Sequence, residues 1–296
     1  MNLFVCSKKL NTINNINLND CSFNEIVIDP SKKPIGFSCM TKYKNYLILG
    51  SEYSSCMYSI DIVNKNRIEK IYIGASVSKA ISYDEKILLL CSDINALLVY
   101  DMQEMKITVE IPIGNYPFSI HVDEKNNLIY VSSFLENSIT IIDSKEYREI
   151  KKIRNIEHPT KVFCDANKIY VLESRCENFE RGFLEIISID EFQNYKTLGK
   201  FEVGRMPIDM IVKEDMVYVI SLMDENVKEI KSISNISDTE CNTFKNVAIM
   251  PTQILGYGED IFVLDSYTGF IKKVDLSSKK IINIAKVKEP SAMFIV

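Results

Sequence analysis

The chain has 296 residues, 46% of them hydrophobic and 25% charged, with a formal net charge of −5. These are the proportions of a folded globular protein, and the mild acidity argues against non-specific nucleic-acid binding and against attachment to an anionic membrane. No run of 18 apolar residues is present to cross a bilayer as a helix.

The first predicted element is a strand, LFVCS at 3–7. Its apolar stretch is four residues long and the lysines Lys8 and Lys9 follow it, the reverse of a secretory signal, so the expected location is the cytoplasm. The same pattern returns as LILGS at 47–51, LLLCS at 88–92, IYVSS at 129–133, IYVLE at 169–173, VYVIS at 217–221 and IFVLD at 261–265. The centres Val5, Leu49, Leu90, Val131, Val171, Val219 and Val263 are spaced by 44, 41, 41, 40, 48 and 44 residues. A period of about 40–45 residues is the length of a four-stranded blade.

Two further markers keep step with the first. An acidic residue closes an apolar run 11 or 12 residues after the centre at Asp61, Asp101, Asp143 and Asp275, and after 19 residues at Asp190. A carboxylate at a strand end accepts hydrogen bonds from turn amides. A proline opens the next unit at Pro34, Pro117, Pro159, Pro207, Pro251 and Pro290, with Val77 in the third blade. Proline lacks an N–H and suits the first residue of a strand.

Each unit reads as four strands. In 117–154 these are PFSIHVD, NLIYVSS, SITIIDS and REIKKI, rich in β-branched and aromatic residues and separated by polar turns. The chain starts inside a second-type strand, and 290–296 supplies a first-type strand with nothing after it. The expected fold is all-β, a seven-bladed β-propeller of four-stranded antiparallel blades, closed by 290–296 pairing in the N-terminal blade. Such closure removes the open sheet edge. One domain over 1–296 is expected, with blades at 290–296 plus 1–29, 34–74, 77–114, 117–154, 159–204, 207–250 and 251–288.

The segment IYVSSFLENSITIIDSKEYREIKKI at 129–153 resembles the YVTN-type propeller repeat of YncE-like proteins, and weaker copies cover nearly the whole chain. The threonine-asparagine ending of that motif is absent from every copy, and there is no Trp as a WD repeat would require. The resemblance implies the propeller fold. Its members include surface proteins, binding proteins and, more distantly, lactonases, so fold alone assigns no activity.

The eight cysteines are expected as reduced thiols. Cys6 and Cys91 occupy equivalent places in non-adjacent blades, as do Cys39 and Cys164, too far apart for the ~4.4–6.8 Å Cα separation of a disulfide. No motif asks for a cofactor: GxSxG, GxGxxG, a P-loop and CxxC are all missing, and two histidines cannot build a multi-histidine metal site.

Candidate site residues follow from the fold. The loops before each first strand and between second and third strands gather at one end of the blades, here called the upper end. The residue two after each opening position is expected to face the channel there: Gly36, Lys79, Ser119, Lys161, Asp209, Gln253 and Ala292. Lys79 and Lys161 suit an anion, and Asp209 can pair with either. The fifth blade is stretched at ESRCENFERG, 173–182, which places Glu173 and Arg175 in a polar upper loop. His158 precedes Pro159 in an upper connection and could act as a base near neutral pH. A smaller expansion at 231–246 is expected at the opposite end.

The reading is a monomeric binding or scaffolding module for a protein, peptide or small anion, with no cofactor, no nucleic acid and no membrane. The alternative is a lactonase-like or sugar-acid hydrolase with its site at the channel mouth. The heavy use of Ile, Asn and Lys reflects an AT-rich genome.

Overall fold

The computed structural model describes all residues except 32, 65–66, 166, 176–180, 190–193 and 232–240. The described chain is built of strands and turns, without a helix. The strands form seven four-stranded antiparallel sheets, and the fold is a seven-bladed β-propeller. No helix among the described residues is long and apolar enough to cross a membrane.

The chain divides into two compact units, residues 1–117 with 284–296, and residues 118–283. In the first, the opening sheet orders β28 (Pro290–Ile295), β1 (Asn2–Ser7), β2 (Thr12–Asn17) and β3 (Phe23–Val27). The second sheet holds β4 (Phe37–Tyr43), β5 (Tyr46–Ser51), β6 (Cys56–Asp61) and β7 (Ile68–Tyr72). The third holds β8 (Lys79–Tyr83), β9 (Lys86–Cys91), β10 (Ala96–Asp101) and β11 (Lys106–Pro112).

The second unit carries four sheets. They are β12 (Pro117–Asp123) with β13 (Leu128–Ser133), β14 (Ser138–Asp143) and β15 (Arg148–Arg154), then β16 (Pro159–Asp165) with β17 (Lys168–Ser174), β18 (Gly182–Ile189) and β19 (Tyr195–Gly204). Next come β20 (Pro207–Lys213), β21 (Met216–Ser221), β22 (Val227–Lys231) and β23 (Cys241–Phe244). The last is β24 (Pro251–Tyr257), β25 (Asp260–Asp265), β26 (Phe270–Asp275) and β27 (Ile281–Lys286).

The closure expected from the sequence is present. Strands β28 and β1 pair with Phe4 opposite Phe294, Val5 opposite Met293 and Cys6 opposite Ala292. Ala292 and Met293 are buried, and Phe294 packs against the cluster formed by Phe4, Phe37 and Leu49.

The second strand of every blade is a buried apolar run, because it packs against neighbours on both faces. In the fifth blade, Val171 joins Tyr130, Ile139 and Ile141 of the fourth on one side. Tyr170 and Leu172 join Met210 and Val219 of the sixth on the other. The inner strands are also stitched by hydrogen bonds. Ser82 N donates to Thr41 Oγ1 over 3.1 Å, Thr160 Oγ1 donates to the Pro207 carbonyl over 2.6 Å, and Ser38 Oγ to that of Val77 over 2.6 Å.

The acidic markers perform the turn role expected of them. One oxygen of Asp101 accepts the amides of Gln103 and Glu104, and Asp61, Asp143 and Asp275 do the same in their own turns. Asp190 lies outside the described residues. The seven described cysteines are free thiols.

The register corrects one alignment. Pro159, Pro207 and Pro251 face Glu173, Ser221 and Asp265, and a bulge follows each proline. In the second blade Phe37, not Pro34, holds that place: it faces Ser51 and is followed by the same bulge. Pro34 sits in the preceding connection. Gly36 is then the residue before the strand, with φ +73°, in line with Tyr116, His158, Met206 and Glu289 at +55°, +43°, +57° and +49°. A left-handed turn at that point swings the chain into the first strand in these five blades.

Candidate functional site

The seven inward positions divide by unit. In the first, the correction above puts Cys39 rather than Gly36 at the inward position of β4, facing Gly50. Cys39 is buried, and burial raises its thiol pKa. Lys79 is exposed and Ala292 is buried.

In the second unit, Ser119, Lys161, Asp209 and Gln253 come from successive first strands. Asp209 pairs with Lys161 and not with Lys79: Nζ to Oδ1 is 2.6 Å. Its other oxygen accepts the Ile254 amide of the next blade at 3.0 Å. Ser119 Oγ similarly accepts the Val162 amide at 3.4 Å. Asp209 is only 7% exposed and Ser119 only 3%. These two side chains tie one inner strand to the next. Lys161 and Gln253 are half-buried.

Glu173 departs furthest from expectation. It is not an exposed loop residue but the wholly buried penultimate residue of β17. The physical reason is hairpin length: β17 and β18 pair out to Ser174 opposite Gly182, so part of the fifth-blade expansion extends the ladder. Residues 176–180 of that expansion, with Cys176, Glu177 and Glu180, lie outside the described residues.

A polar cluster surrounds Glu173. Its Oε2 accepts the Glu157 amide at 3.2 Å and the Lys200 ammonium at 2.7 Å, while Oε1 is buried without a hydrogen bond. Glu185 faces Lys200 across β18 and β19, and its Oε2 lies 3.8 Å from the same ammonium. Glu185 Oε1 accepts the Thr197 hydroxyl at 2.6 Å. Two carboxylates thus bracket one cation. Burial, then the proximity of Glu185, raise the Glu173 carboxyl to about 8, with Lys200 pulling the other way. Burial also pushes Glu185 up, but Glu173, Thr197 and Lys200 outweigh it and hold it below the usual carboxylate value.

His158 lies against Phe134 with ring centres 4.8 Å apart, and its buried Nδ1 has no hydrogen-bond partner. Its backbone amide donates to Asn137 Oδ1 at 2.9 Å. His121 packs on Phe163 at 4.5 Å and bonds the Cys164 carbonyl through Nε2 at 3.0 Å; burial lowers its pKa. Arg175 remains exposed, with Nε 2.8 Å from Glu157 Oε2 and its guanidinium 4.8 Å from the centre of the Phe183 ring. Among the described residues no group of three or more His, Cys, Asp and Glu side chains is placed to hold a metal ion.

The sequence reading missed a feature of the upper loops. At or next to the fourth position after each centre, Leu10, Tyr53, Ile94, Leu135, Met223 and Tyr267 stand 38% to 72% exposed. Arg175 holds the position in the fifth blade. The signal was available in the sequence, since a large apolar residue recurs beside the turn-forming Ser or Asp in SEY, SDI, SFL, SLM and DSY.

No family model and no curated protein matches the sequence. Solved structures do match the fold. A protein of unknown function from Desulfotomaculum acetoxidans is similar at a TM-score of 0.80 and 13% identity, covering 99% of this chain and 98% of that one. A protein from Bacteroides fragilis with a provisional 6-phosphogluconolactonase assignment gives 0.77 and 10%, covering 100% and 97%. Virginiamycin B lyase from Staphylococcus aureus gives 0.68 and 16%, covering 87% and 86%. At such identities the likeness is one of fold: a seven-bladed β-propeller.

Proposed function

We propose that the chain is a non-catalytic binding propeller of the YVTN, YncE-like kind, folded as one domain. It works as a monomer in the cytoplasm, where its buried thiols stay reduced. Its upper loop ends and inward-facing first-strand residues hold a protein, peptide or small anionic ligand.

The observation that carries this reading is the exposed apolar side chain repeated at the upper ends of three blades of the second unit, Leu135, Met223 and Tyr267, and separately at those of the three blades of the first. A polar turn does not require a large apolar residue, and we read its recurrence at the same end of the blades as a contact surface.

The test is capture of partners from lysate by immobilised protein, with Leu135→Glu, Met223→Glu and Tyr267→Glu together as the control. A partner retained by the unaltered protein and lost by the triple variant supports the reading. Equal retention by both sinks it.

A hydrolase acting on lactones is the second reading. It is favoured by the fold likeness to the provisional lactonase and by the Glu173–Glu185 carboxylates around Lys200. Against it, Glu173 is wholly buried. Acid release from 6-phosphogluconolactone at constant pH, abolished by Glu173→Gln, would move the conclusion to this reading.

A further inference from the structure

The chain contains six arginines among its 35 Lys and Arg residues. Four of the six, Arg154, Arg175, Arg181 and Arg205, are exposed at the upper ends of the fourth, fifth and sixth blades. In a sequence that otherwise prefers lysine, this placement is selective. Arginine differs from lysine in its planar fork, which meets carboxylates two bonds at a time.

The four lie along one path within the second unit. Arg154 ends β15, three residues before Glu157, whose carboxylate holds Arg175 Nε at 2.8 Å. The Arg175 amide donates to the Arg181 carbonyl at 3.1 Å. Arg181 and Arg205 flank Gly182 and Gly204, which face each other across β18 and β19. A Cβ on Gly182 would sit 2.0 Å from the Pro207 ring and 2.8 Å from the Gly204 carbonyl, so the backbones that carry the two arginines meet closely there.

Three of the arginines are held in place by one carboxylate each. Arg154 Nη1 is 3.5 Å from Glu136, Arg175 is held by Glu157, and Arg205 Nε is 3.2 Å from Asp224. Arg205 also donates from Nη2 to the Met223 carbonyl at 2.5 Å. A guanidinium has five N–H donors, so each fork keeps donors to spare after these contacts. Arg181 has no ion pair among the described residues. Exposed Leu135 and Met223 stand beside the path.

We propose that this arginine path binds an acidic peptide segment of a partner protein, its carboxylates on the guanidinium forks and its apolar side chains on Leu135 and Met223. The proposal rests on the binding reading above and specifies the partner. Dimensions favour a peptide over a small anion. Blades stack about 10 Å apart, so a path over three blades runs roughly 20 Å. A small oxyanion covers one fork at a time, whereas an extended peptide of about six residues spans the whole, at roughly 3.3 Å each.

The experiment is fluorescence anisotropy of the full chain with three labelled twelve-residue peptides, (Glu-Glu-Leu)4, (Ser-Ser-Leu)4 and (Lys-Lys-Leu)4, in 50 and 200 mM salt. The acidic peptide is expected to bind at least tenfold tighter than the other two and to weaken several-fold at the higher salt. Replacing all four arginines with Gln should abolish that preference. Replacing Lys125, Lys145, Lys279 and Lys280 at the lower ends with Gln should change affinity less than twofold. If the quadruple arginine variant does not fold, Arg154→Gln with Arg181→Gln removes the two least engaged forks and should cost about threefold in affinity. Equal binding of all three peptides, lost on Met223→Glu, would refute the acidic partner and leave the binding reading standing. No binding of any peptide refutes the proposal, and the lysate capture then decides the binding reading separately.

Discussion

The Glu173 carboxyl makes stability depend on pH in a window that few other groups share. Its pKa in the folded chain is about 8, against roughly 4.3 for an unstructured glutamate. A carboxyl with a raised folded pKa lends stability that is complete below the unfolded value and is lost as pH climbs through the folded one. The slope approaches about 1.4 kcal/mol per pH unit, and the whole shift sets an upper limit of about 5 kcal/mol. Groups with lowered folded pKa values act in the other direction, at lower pH; they include Glu185, His121 and the turn carboxylates Asp101, Asp143 and Asp275. Glu185, with a lowered pKa, loses its contribution only on acidification below the usual carboxylate range. His121, also lowered, loses its contribution as pH falls below about 6.5. Between pH 6.5 and 8 the Glu173 effect dominates among the described residues, with the buried thiols, whose pKa values burial raises, adding their loss only above about pH 8. A loss of about 1–2 kcal/mol there should lower Tm by roughly 2–8 °C, since each kcal/mol moves the Tm of a large domain by about 2–4 °C. Differential scanning calorimetry across that range measures it. Glu173→Gln keeps the shape but cannot ionise, so its Tm should be flat over the window. A flat Tm in the unaltered protein, or an unchanged slope in Glu173→Gln, would refute a Glu173 carboxyl held protonated by burial.

Two other consequences are open to direct test. Asp209→Ala removes the acceptor of the Ile254 amide and strands the Lys161 ammonium; urea unfolding should show a loss of about 2–4 kcal/mol, and Asp209→Asn a smaller one. Deleting 290–296 strips β1 of its partner strand and uncovers Phe4 and Cys6; Tm should fall by more than 10 °C, and a truncated chain that melts with the full one would contradict closure through β28.

Much of the fold could be read in the sequence because its signals are local and repeated. The seven strand centres, the carboxylate at each turn and the orphan first strand at 290–296 each recur or stand out within a few residues. The errors arose where a local signal had two meanings. Pro34 looks like a strand opener but belongs to a connection, and only the pairing of Phe37 with Ser51 distinguishes the two. Glu173 sits in a polar run and reads as loop, yet the ladder continues past it to Ser174. The pairing of Lys161 with Asp209 was one of the two that the sequence allowed, since both residues hold the same place in neighbouring blades. The Glu173–Glu185–Lys200 cluster was not, because it depends on the register of β18 with β19, which the sequence does not state. The arginine path escaped notice for a related reason: its members are up to 51 residues apart, from Arg154 to Arg205, and meet only through strand pairing.

The left-handed turn ahead of the first strands has a use beyond folding. At Tyr116, His158, Met206 and Glu289 the backbone holds positive φ with an aromatic, an imidazole, a thioether and a carboxylate in turn. The conformation is thus set by the flanking strands and tolerates very different side chains, although β-branched ones would strain it. Within the second unit, His158 and Met206 form a natural display pair. A library randomised there with unbranched residues would present new chemistry at the loop ends while each residue's neighbours in the strands stay fixed, which makes this chain a scaffold for selecting binders as well as one to be understood.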